Sequence, residues 1–160
     1  MMEQKRGITM IQMVITIVMM ILIAGFSIYN SRDTIIETKL SKTYNEMMTV
    51  KEAVLGLETL EIVDIKDIGT KLSDFSSYTQ LMPYYNSGDN EYYLLDFKSN
   101  GDAISDVLEI RNIENNYIVN VKNMEDIEIF LVNGVKIGDN VYYSDDEILK
   151  KYNDIFAGRW

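Results

Sequence analysis

The chain begins with a long apolar run near its N-terminus. No charged side chain lies between Ile8 and Tyr29. As a helix this run extends for about 33 Å, which is enough to cross a hydrocarbon core of ~30 Å. The pattern therefore predicts a transmembrane helix over residues 8–29. The polar residues that interrupt the run are Thr9, Gln12, Thr16 and Ser27.

An amphipathic stretch follows the apolar run. Apolar residues return at steps of four and three, which is the spacing of one face of a helix. This face lasts only about three heptads, so we expect it to pack on the chain's own sheet rather than in a coiled coil. One helix is predicted from about Ile8 to Leu60, with residues 30–60 as its amphipathic half. The face consists of Ile36, Leu40, Thr43, Met47, Val50, Val54 and Leu57.

Residues 61–160 have the pattern of a head domain that mixes strands and helices. Four segments rich in Tyr, Val, Ile and Phe predict a mostly antiparallel sheet of about four strands. The letters GDN at residues 138–140 predict a hairpin turn. The letters NGV at residues 133–135 indicate either a bulge or an earlier turn, and both alternatives stay open. The four strand segments are residues 91–97, 115–122, 127–137 and 140–144.

Three short helices are predicted within the same domain. Residues 144–156 begin with Ser144 as an N-cap and carry acids in the first turn, where the helix dipole favours negative charge. Residues 103–110 predict a second short helix. Residues 73–82 predict a third, capped by Ser73.

Together these patterns predict an α+β fold. A long N-terminal transmembrane and amphipathic helix packs on a C-terminal, mostly antiparallel β-sheet, and a short helix ends the chain. Residues 61–72 are predicted to link the long helix to the sheet.

The composition is acidic and lacks two chemically versatile residue types. The formal net charge is −10, and residues 1–7 carry +1, so the remainder carries −11. Such a charge repels phosphate, so nucleic-acid binding by the bulk of the chain is not expected. The chain has no Cys and no His, which excludes disulfides, Cys-ligated metals and His-centred catalysis. We expect no cofactor, no bound metal and no enzymatic activity.

Local clusters of oxygen side chains and of tyrosines are interpreted as structural features rather than as functional sites. The letters DFKSNGD at residues 96–102 surround Gly101 with oxygens, but Lys98 takes a ligand position of a calcium loop, so a solvated turn is favoured. The paired acids at residues 125–126 and 145–146 lie in no predicted cleft, and we expect no glycosidase-like role. The adjacent tyrosine pairs are interpreted as core and strand surface, with subunit contacts as the alternative.

The N-terminal letters KRGITMIQMVITIVMM carry a more specific signal. Lys5 and Arg6 supply positive charge ahead of Gly7, and the apolar run starts directly at Ile8. Thr9 is the second residue of the run. This arrangement resembles the prepilin-type N-terminus of type IV pilins and related pseudopilins.

The resemblance implies a processing site and a mode of assembly. Residues 1–7 would be a leader peptide that a prepilin peptidase removes by cutting between Gly7 and Ile8, and the new N-terminus would be methylated. The mature chain would join a filament through its N-terminal helix, with polar contacts at Thr9 and Gln12. A long helix that carries a C-terminal head domain is also the shape that the resemblance implies.

Three positions depart from the family pattern. Gln12 stands where the family usually has Glu, Ile8 where it usually has Phe, and Tyr29 where it has a helix-loosening Pro. In the family, the glutamate pairs with the N-terminal amine of a neighbour. An amide accepts a hydrogen bond from that ammonium but supplies no compensating charge. The resemblance therefore favours a minor or priming subunit over the bulk filament subunit.

The expected function is structural, and its partners follow from the resemblance. They are other pilin or pseudopilin subunits, the prepilin peptidase, a membrane assembly platform and, before assembly, the lipid bilayer. Cations before the apolar run and acids after it predict a cytoplasmic N-terminus in a single-pass protein of the cell membrane. The filament would lie at the cell surface. Two alternatives stay open: a membrane-anchored receptor or binding module, and a cleaved secretory signal.

Overall fold

The fold is seen in a computed structural model that describes residues 3–60, 64–86, 88, 90–123 and 126–157. The side chains of residues 3–11, 26–31, 58–60, 122, 123 and 126 lie outside this description. The chain divides into two compact units, Met1–Thr38 and Lys39–Trp160. The second unit contains the sheet and its core.

One helix occupies the described part of the first unit and continues into the second. Helix α1 spans Glu3–Leu60. In the second unit its predicted amphipathic face is confirmed, because the apolar side chains at steps of three and four are buried and share one side of the helix. The fully buried members of this face are Leu40, Met47, Val50 and Val54.

The predicted fold class is wrong in one part, the transmembrane helix. Within the residues that the structure describes, no helix is long and apolar enough to cross a membrane. The span predicted over residues 8–29 is therefore corrected. The fold is α+β with a five-stranded antiparallel sheet.

The sheet of the second unit is an antiparallel meander. Each strand pairs with the next strand of the chain, in the order β1-β2-β3-β4-β5. The strands are β1 (Thr70–Leu72), β2 (Glu91–Leu95), β3 (Tyr117–Asn123), β4 (Asp126–Ile137) and β5 (Asn140–Ser144). The further helices are α2 (Ile65–Ile68), a 3-10 helix (Thr79–Tyr84), α3 (Phe97–Leu108) and α4 (Asp145–Ala157).

Both faces of the sheet are covered. Side chains alternate along each strand, so that neighbouring residues point to opposite faces. On one face Tyr117 of β3 pairs with Leu131 of β4, and the Tyr117 hydroxyl reaches Glu46 of α1. The neighbouring β3 residue, Ile118, points to the opposite face. Burial on both faces explains why β3 and β4 contain nearly continuous apolar runs. The core cluster on the face away from α1 consists of Phe75, Leu81, Tyr92, Ile118, Phe130 and Val132.

Two predictions for the segment between α1 and β2 are wrong. The link predicted over residues 61–72 contains α2 and the strand β1, so the sheet has five strands rather than about four. The described residues contain no helix that starts at Ser73. Instead the Asp74 carboxylate accepts a hydrogen bond from the Ser76 N–H at 2.9 Å, which closes a local turn, and the 3-10 helix follows.

Helix α3 replaces the solvated turn that the sequence predicts for residues 96–102. Asp96 is its N-cap and accepts a hydrogen bond from the Ser99 N–H at 3.1 Å. Asn100 has non-helical dihedral angles (φ −127°, ψ 25°) and marks a kink. The short helix predicted over residues 103–110 is confirmed, but it begins earlier because the capping aspartate lies further upstream.

Two glycines near the β4–β5 connection decide between turn and bulge. Gly138 has φ +61° and lies between the paired residues Ile137 and Asn140, which confirms the predicted hairpin. Gly134 has φ +62° and lies inside β4, where the pairing register with β5 shifts. The letters NGV are therefore a bulge rather than an earlier turn.

Helix α4 starts with a capping box, which confirms the predicted cap. Ser144 Oγ accepts a hydrogen bond from the Glu147 N–H at 3.2 Å, and Glu147 Oε2 accepts from the Ser144 N–H at 3.4 Å. Glu147 Oε2 also accepts from the Tyr143 N–H at 3.0 Å. The bond from the Glu147 N–H satisfies a group that lacks an intrahelical partner in the first turn of the helix.

Candidate functional site

The first unit presents a helix surface made of large apolar side chains. Every large apolar residue from Met13 to Ile23 is 47–68 % exposed. Only Thr16 interrupts this series, so the side chains surround the helix rather than forming a stripe. Contiguous apolar surface of this extent marks an interaction site in most proteins. Residues 12–25 of α1 are called the apolar helix surface below.

Polar groups are few on the apolar helix surface. Thr16 Oγ1 donates a hydrogen bond to the backbone carbonyl of Gln12 at 2.8 Å, so its own helix satisfies the threonine. The Gln12 side chain is exposed, and its amide offers two donors and one acceptor. A neighbouring helix would therefore meet apolar side chains and one amide near the N-terminal end of the surface.

The processing residues predicted from the sequence fall mostly outside the described side chains. Gly7 and Ile8 lie within α1, and the structure describes no side chain there or at Lys5, Arg6 and Thr9. The leader, the cleavage site and the contact at Thr9 therefore stay predictions. The predicted assembly residue Gln12 is described and exposed, and its role in assembly stays a prediction.

The second unit contains a buried carboxylate that the sequence analysis missed. Glu46 of α1 is 8 % exposed. Its Oε1 accepts hydrogen bonds from the N–H groups of Glu114 and Asn115 and from the Asn115 side-chain amide, all at 3.0 Å, and from the Tyr117 hydroxyl at 2.7 Å. A sequence signal exists, because Glu46 lies three residues after Thr43 and so falls on the buried face.

The bonds to Glu46 attach the loop between α3 and β3 to the long helix. Burial and the hydrogen bond to Glu46 raise the pKa of the Tyr117 hydroxyl far above its ordinary value, so the hydroxyl stays a donor at neutral pH. A pocket of about 230 Å³ lies beside this cluster. At its edge Lys42 Nζ lies 2.8 Å from Glu114 Oε1, and both side chains are exposed. The contacts make this cluster an anchor for the loop.

A second pocket, of about 250 Å³, is lined by residues of the 3-10 helix, β4, β5 and α4. Two aromatic rings, those of Tyr84 and Phe130, form its apolar part, and their centroids are 5.3 Å apart. Carboxylates and one hydroxyl form the rest. This acidic–aromatic pocket is lined by Tyr84, Glu128, Phe130, Ser144, Asp145 and Asp146.

Neighbouring groups hold the aromatic side of the pocket in place. The Tyr84 hydroxyl donates a hydrogen bond to Glu147 Oε1 at 2.6 Å. Burial and this bond raise the pKa of Tyr84 well above its ordinary value, so the tyrosine is neutral at physiological pH. The Tyr84 ring is thereby fixed between α4 and Phe130.

The acids of the pocket are only partly compensated. Lys51 Nζ lies 2.8 Å from Asp145 Oδ2, and the two side chains are 29 % and 13 % exposed. Glu128 Oε2 accepts a hydrogen bond from the Asn120 amide at 2.7 Å, which adds no positive charge. In the part of the chain that the structure describes, neither Glu128 nor Asp146 forms an ion pair. The pocket is therefore negative.

The oxygen clusters singled out from the sequence lie in separate parts of the chain. Across the ranges described above, no group of three acidic side chains converges closely enough to hold a metal ion. The acids at residues 96–102 belong to the start of α3, and those at residues 145–146 to the start of α4. The pair at residues 125–126 lies outside the described side chains.

No protein-family model, curated protein or solved structure matches this chain. The function therefore has to be argued from the residues themselves. Among the described residues, most of the exposed large apolar side chains lie on the apolar helix surface, over about three turns of helix. An exposed apolar surface of this size is typical of an interaction site.

Proposed function

We propose that this chain is a structural subunit of a type IV pilin-like or pseudopilin-like filament. Its leader is removed between Gly7 and Ile8, and the mature chain assembles with further subunits through the N-terminal part of α1. The observation that carries the proposal is the apolar helix surface, where the large side chains from Met13 to Ile23 are 47–68 % exposed.

Burial of this surface supports assembly through it. Each large apolar side chain that becomes covered contributes roughly 1.5–3 kcal/mol. Because the side chains surround the helix, one partner on one side leaves the rest exposed. Several neighbouring helices cover them all, and such an arrangement occurs at the centre of a filament.

The acidic second unit then faces water and neighbouring subunits. Its residues 39–160 carry 12 Lys and Arg against 22 Asp and Glu, and this net charge of −10 keeps it soluble at the filament exterior and argues against nucleic acid as its partner. A prepilin peptidase and an assembly platform complete the proposed set of partners. The proposed location is a filament at the cell surface.

The first test is the mass of the chain after co-expression with a prepilin peptidase. We expect the loss of residues 1–7, with or without an added methyl group on Ile8. Gly7→Val is expected to abolish cleavage because the peptidase cuts after this glycine. Gly25→Val is the matched control, since a side chain at Gly25 meets nothing within 4 Å. A leader that stays attached in the presence of an active peptidase overturns the proposal.

The second test is assembly. Ile21→Ser removes an apolar side chain that is 65 % exposed on the apolar helix surface, and we expect filament incorporation to fall by tenfold or more, since ~1.4 kcal/mol corresponds to tenfold. Met82→Ser is the control, because Met82 is 50 % exposed in the second unit. Equal incorporation of both variants would show that the helix surface is not the contact.

The position of Gln12 supports a minor or priming role within this proposal. Gln12→Glu restores a negative charge that can pair with the N-terminal ammonium of a neighbour, so we expect the variant to incorporate along the filament body. Asn45→Asp adds the same charge at an exposed position of α1 in the second unit. Electron microscopy of labelled subunits measures the distribution, and an unchanged distribution contradicts the minor role.

A further inference from the structure

We propose that the acidic–aromatic pocket of one copy binds the Arg111 side chain of a second copy. The inference rests on the proposed function, because it supplies a contact between the second units of neighbouring subunits in a filament. Its evidence is independent of the apolar helix surface and comes from the pocket, from the loop that carries Arg111, and from their opposite charges.

The chemistry of the pocket suits a guanidinium group. The rings of Tyr84 and Phe130 offer apolar faces on which a planar cation stacks. Glu128 and Asp146 offer carboxylate oxygens as acceptors. The volume of about 250 Å³ accommodates a side chain and leaves space for water.

The pocket is formed before a partner arrives. Glu147 holds the Tyr84 hydroxyl at 2.6 Å, and the Asn120 amide holds Glu128 at 2.7 Å. Lys51 holds Asp145 at 2.8 Å. Binding therefore requires little ordering of the receiving side, which lowers its entropic cost.

Arg111 has the properties that a ligand for this pocket needs. It is exposed, and across the described residues it forms no ion pair. It is the single arginine with a described side chain in the second unit. Glu46 fixes two N–H groups of the same loop, and Glu109 and Asn112 on either side adopt positive φ angles. The loop therefore presents the guanidinium from a defined backbone.

The contact also has the symmetry that a filament requires. The pocket and the Arg111 loop are different surfaces of the same unit, so each copy can give its arginine to one neighbour and receive an arginine from another. Repetition of such a heterologous contact produces a ring or an open helical chain. The cation offsets part of the repulsion between copies that each carry a net charge of −11 once residues 1–7 are removed.

A cross-linking experiment tests the contact in the full-length chain. A detergent covers the apolar helix surface, so association through α1 is suppressed. Arg111→Lys keeps the positive charge and gives an amine that carbodiimide joins to a carboxylate, with the oxygen lost from the acid taken up by the carbodiimide as a urea. Isotope-labelled and unlabelled copies are mixed, and mass spectrometry of mixed peptide pairs identifies links between copies.

We expect mixed pairs that join position 111 to Glu128 or Asp146. Sedimentation of the unmodified chain in the same detergent gives the dissociation constant, and Arg111→Gln is expected to weaken it about tenfold. The matched control is Lys98→Gln, which removes an exposed cation of α3 and leaves the pocket chemistry intact. A mixture of Arg111→Glu and Asp146→Arg copies is expected to associate more tightly than either variant alone.

The absence of mixed pairs at position 111, or equal dissociation constants for Arg111→Gln and Lys98→Gln, overturns the inference. Cleavage after Gly7 together with filament formation, but without this cross-link, leaves the proposed function standing. A retained leader overturns the proposed function whatever the pocket binds. The two failures are therefore distinguishable.

Discussion

At the scale of single residues, two buried polar side chains of the second unit differ in how far their hydrogen-bonding groups are satisfied. Glu46 is satisfied by three residues of one loop and strand. Asn120 is 1 % exposed, and its Oδ1 has no hydrogen-bond partner in the described part of the chain. An unsatisfied buried polar atom costs roughly 1–3 kcal/mol. The hydrogen bonds to Glu46 therefore remove this cost at its Oε1 atom.

Replacement of Glu46 tests its anchoring role. Glu46→Gln removes the charge that strengthens its hydrogen bonds, so we expect the free energy of unfolding to fall by about 1.5–3 kcal/mol. Urea denaturation followed by circular dichroism measures the change. Glu52→Gln is the control, because Glu52 is an exposed acid on the same helix. Equal effects of the two variants would rule out a special role for Glu46.

Tyr117 gives the fold a dependence on alkaline pH. Its folded-state pKa is raised above the ordinary value of 10.0, first by burial and then by the bond to Glu46. The folded state therefore holds this proton more tightly than the unfolded state does. The resulting stability is complete below pH 10.0 and is lost as pH rises above it. The pKa of Tyr84 is raised in the same direction.

We expect the urea concentration at the midpoint of unfolding to decrease as the pH rises above 10.0, in parallel with the increase in tyrosinate absorbance. Tyr117→Phe loses a hydrogen bond at neutral pH but removes one ionising group, so its midpoint is expected to fall less steeply. If the two midpoints decline in parallel, Tyr117 ionisation does not govern alkaline unfolding.

At the scale of elements, strong local signals predicted their elements well. The periodic face of α1, the strand β5, the hairpin at Gly138 and the cap at Ser144 all depend on residues close in sequence. The strand β1 has three residues, too few to show an alternating pattern. It forms because it pairs with β2, where Lys71 lies opposite Tyr93. Pairing between distant segments is invisible to a local pattern.

The bulge in β4 is a place where only glycine fits. A Cβ at Gly134 would collide with Val141 Cγ1 and lie 2.7 Å from Tyr143 Cε1. Gly134→Ala is therefore expected to lower the free energy of unfolding by about 1–3 kcal/mol, in addition to the effect of the strained positive φ. Gly138→Ala separates the two effects, since Gly138 has φ +61° but nothing within 4 Å of the added atom. Thermal denaturation compares the variants, and equal losses would mean that crowding at the bulge is unimportant.

At the scale of the whole molecule, the two units differ in whether their apolar side chains are exposed or buried. The first unit exposes large apolar side chains, and the second contains a closed core. A chain that begins at Arg32 keeps the buried face of α1 and loses the apolar helix surface. We expect it to unfold cooperatively, because its core residues all lie in the second unit.

We expect the full chain to self-associate in the absence of detergent, and the same shortened chain to lose this association because it lacks the apolar helix surface. Sedimentation velocity at matched concentrations measures both chains. Association of the short chain as strong as that of the full chain would assign the main contact to the second unit. Gradual unfolding of the short chain would show that the core depends on residues before Arg32.

The sequence by itself determined the α+β class, the apolar run, the buried face of α1 and most strands, because these depend on periodicity and on turn residues. It also predicted Gln12 as an assembly residue; that side chain is exposed, and its role in assembly stays a prediction. The predicted transmembrane span is wrong, since no helix among the described residues is long and apolar enough to cross a membrane.

Only the tertiary structure decided the Glu46 anchor and the acidic–aromatic pocket. The hydrogen bonds of Glu46 join residues 68–71 positions apart. The bond between Tyr84 and Glu147 joins residues 63 positions apart. Periodicity reports which face of an element is apolar, but it carries no information on which distant polar group meets that face. That choice depends on the path of the whole chain.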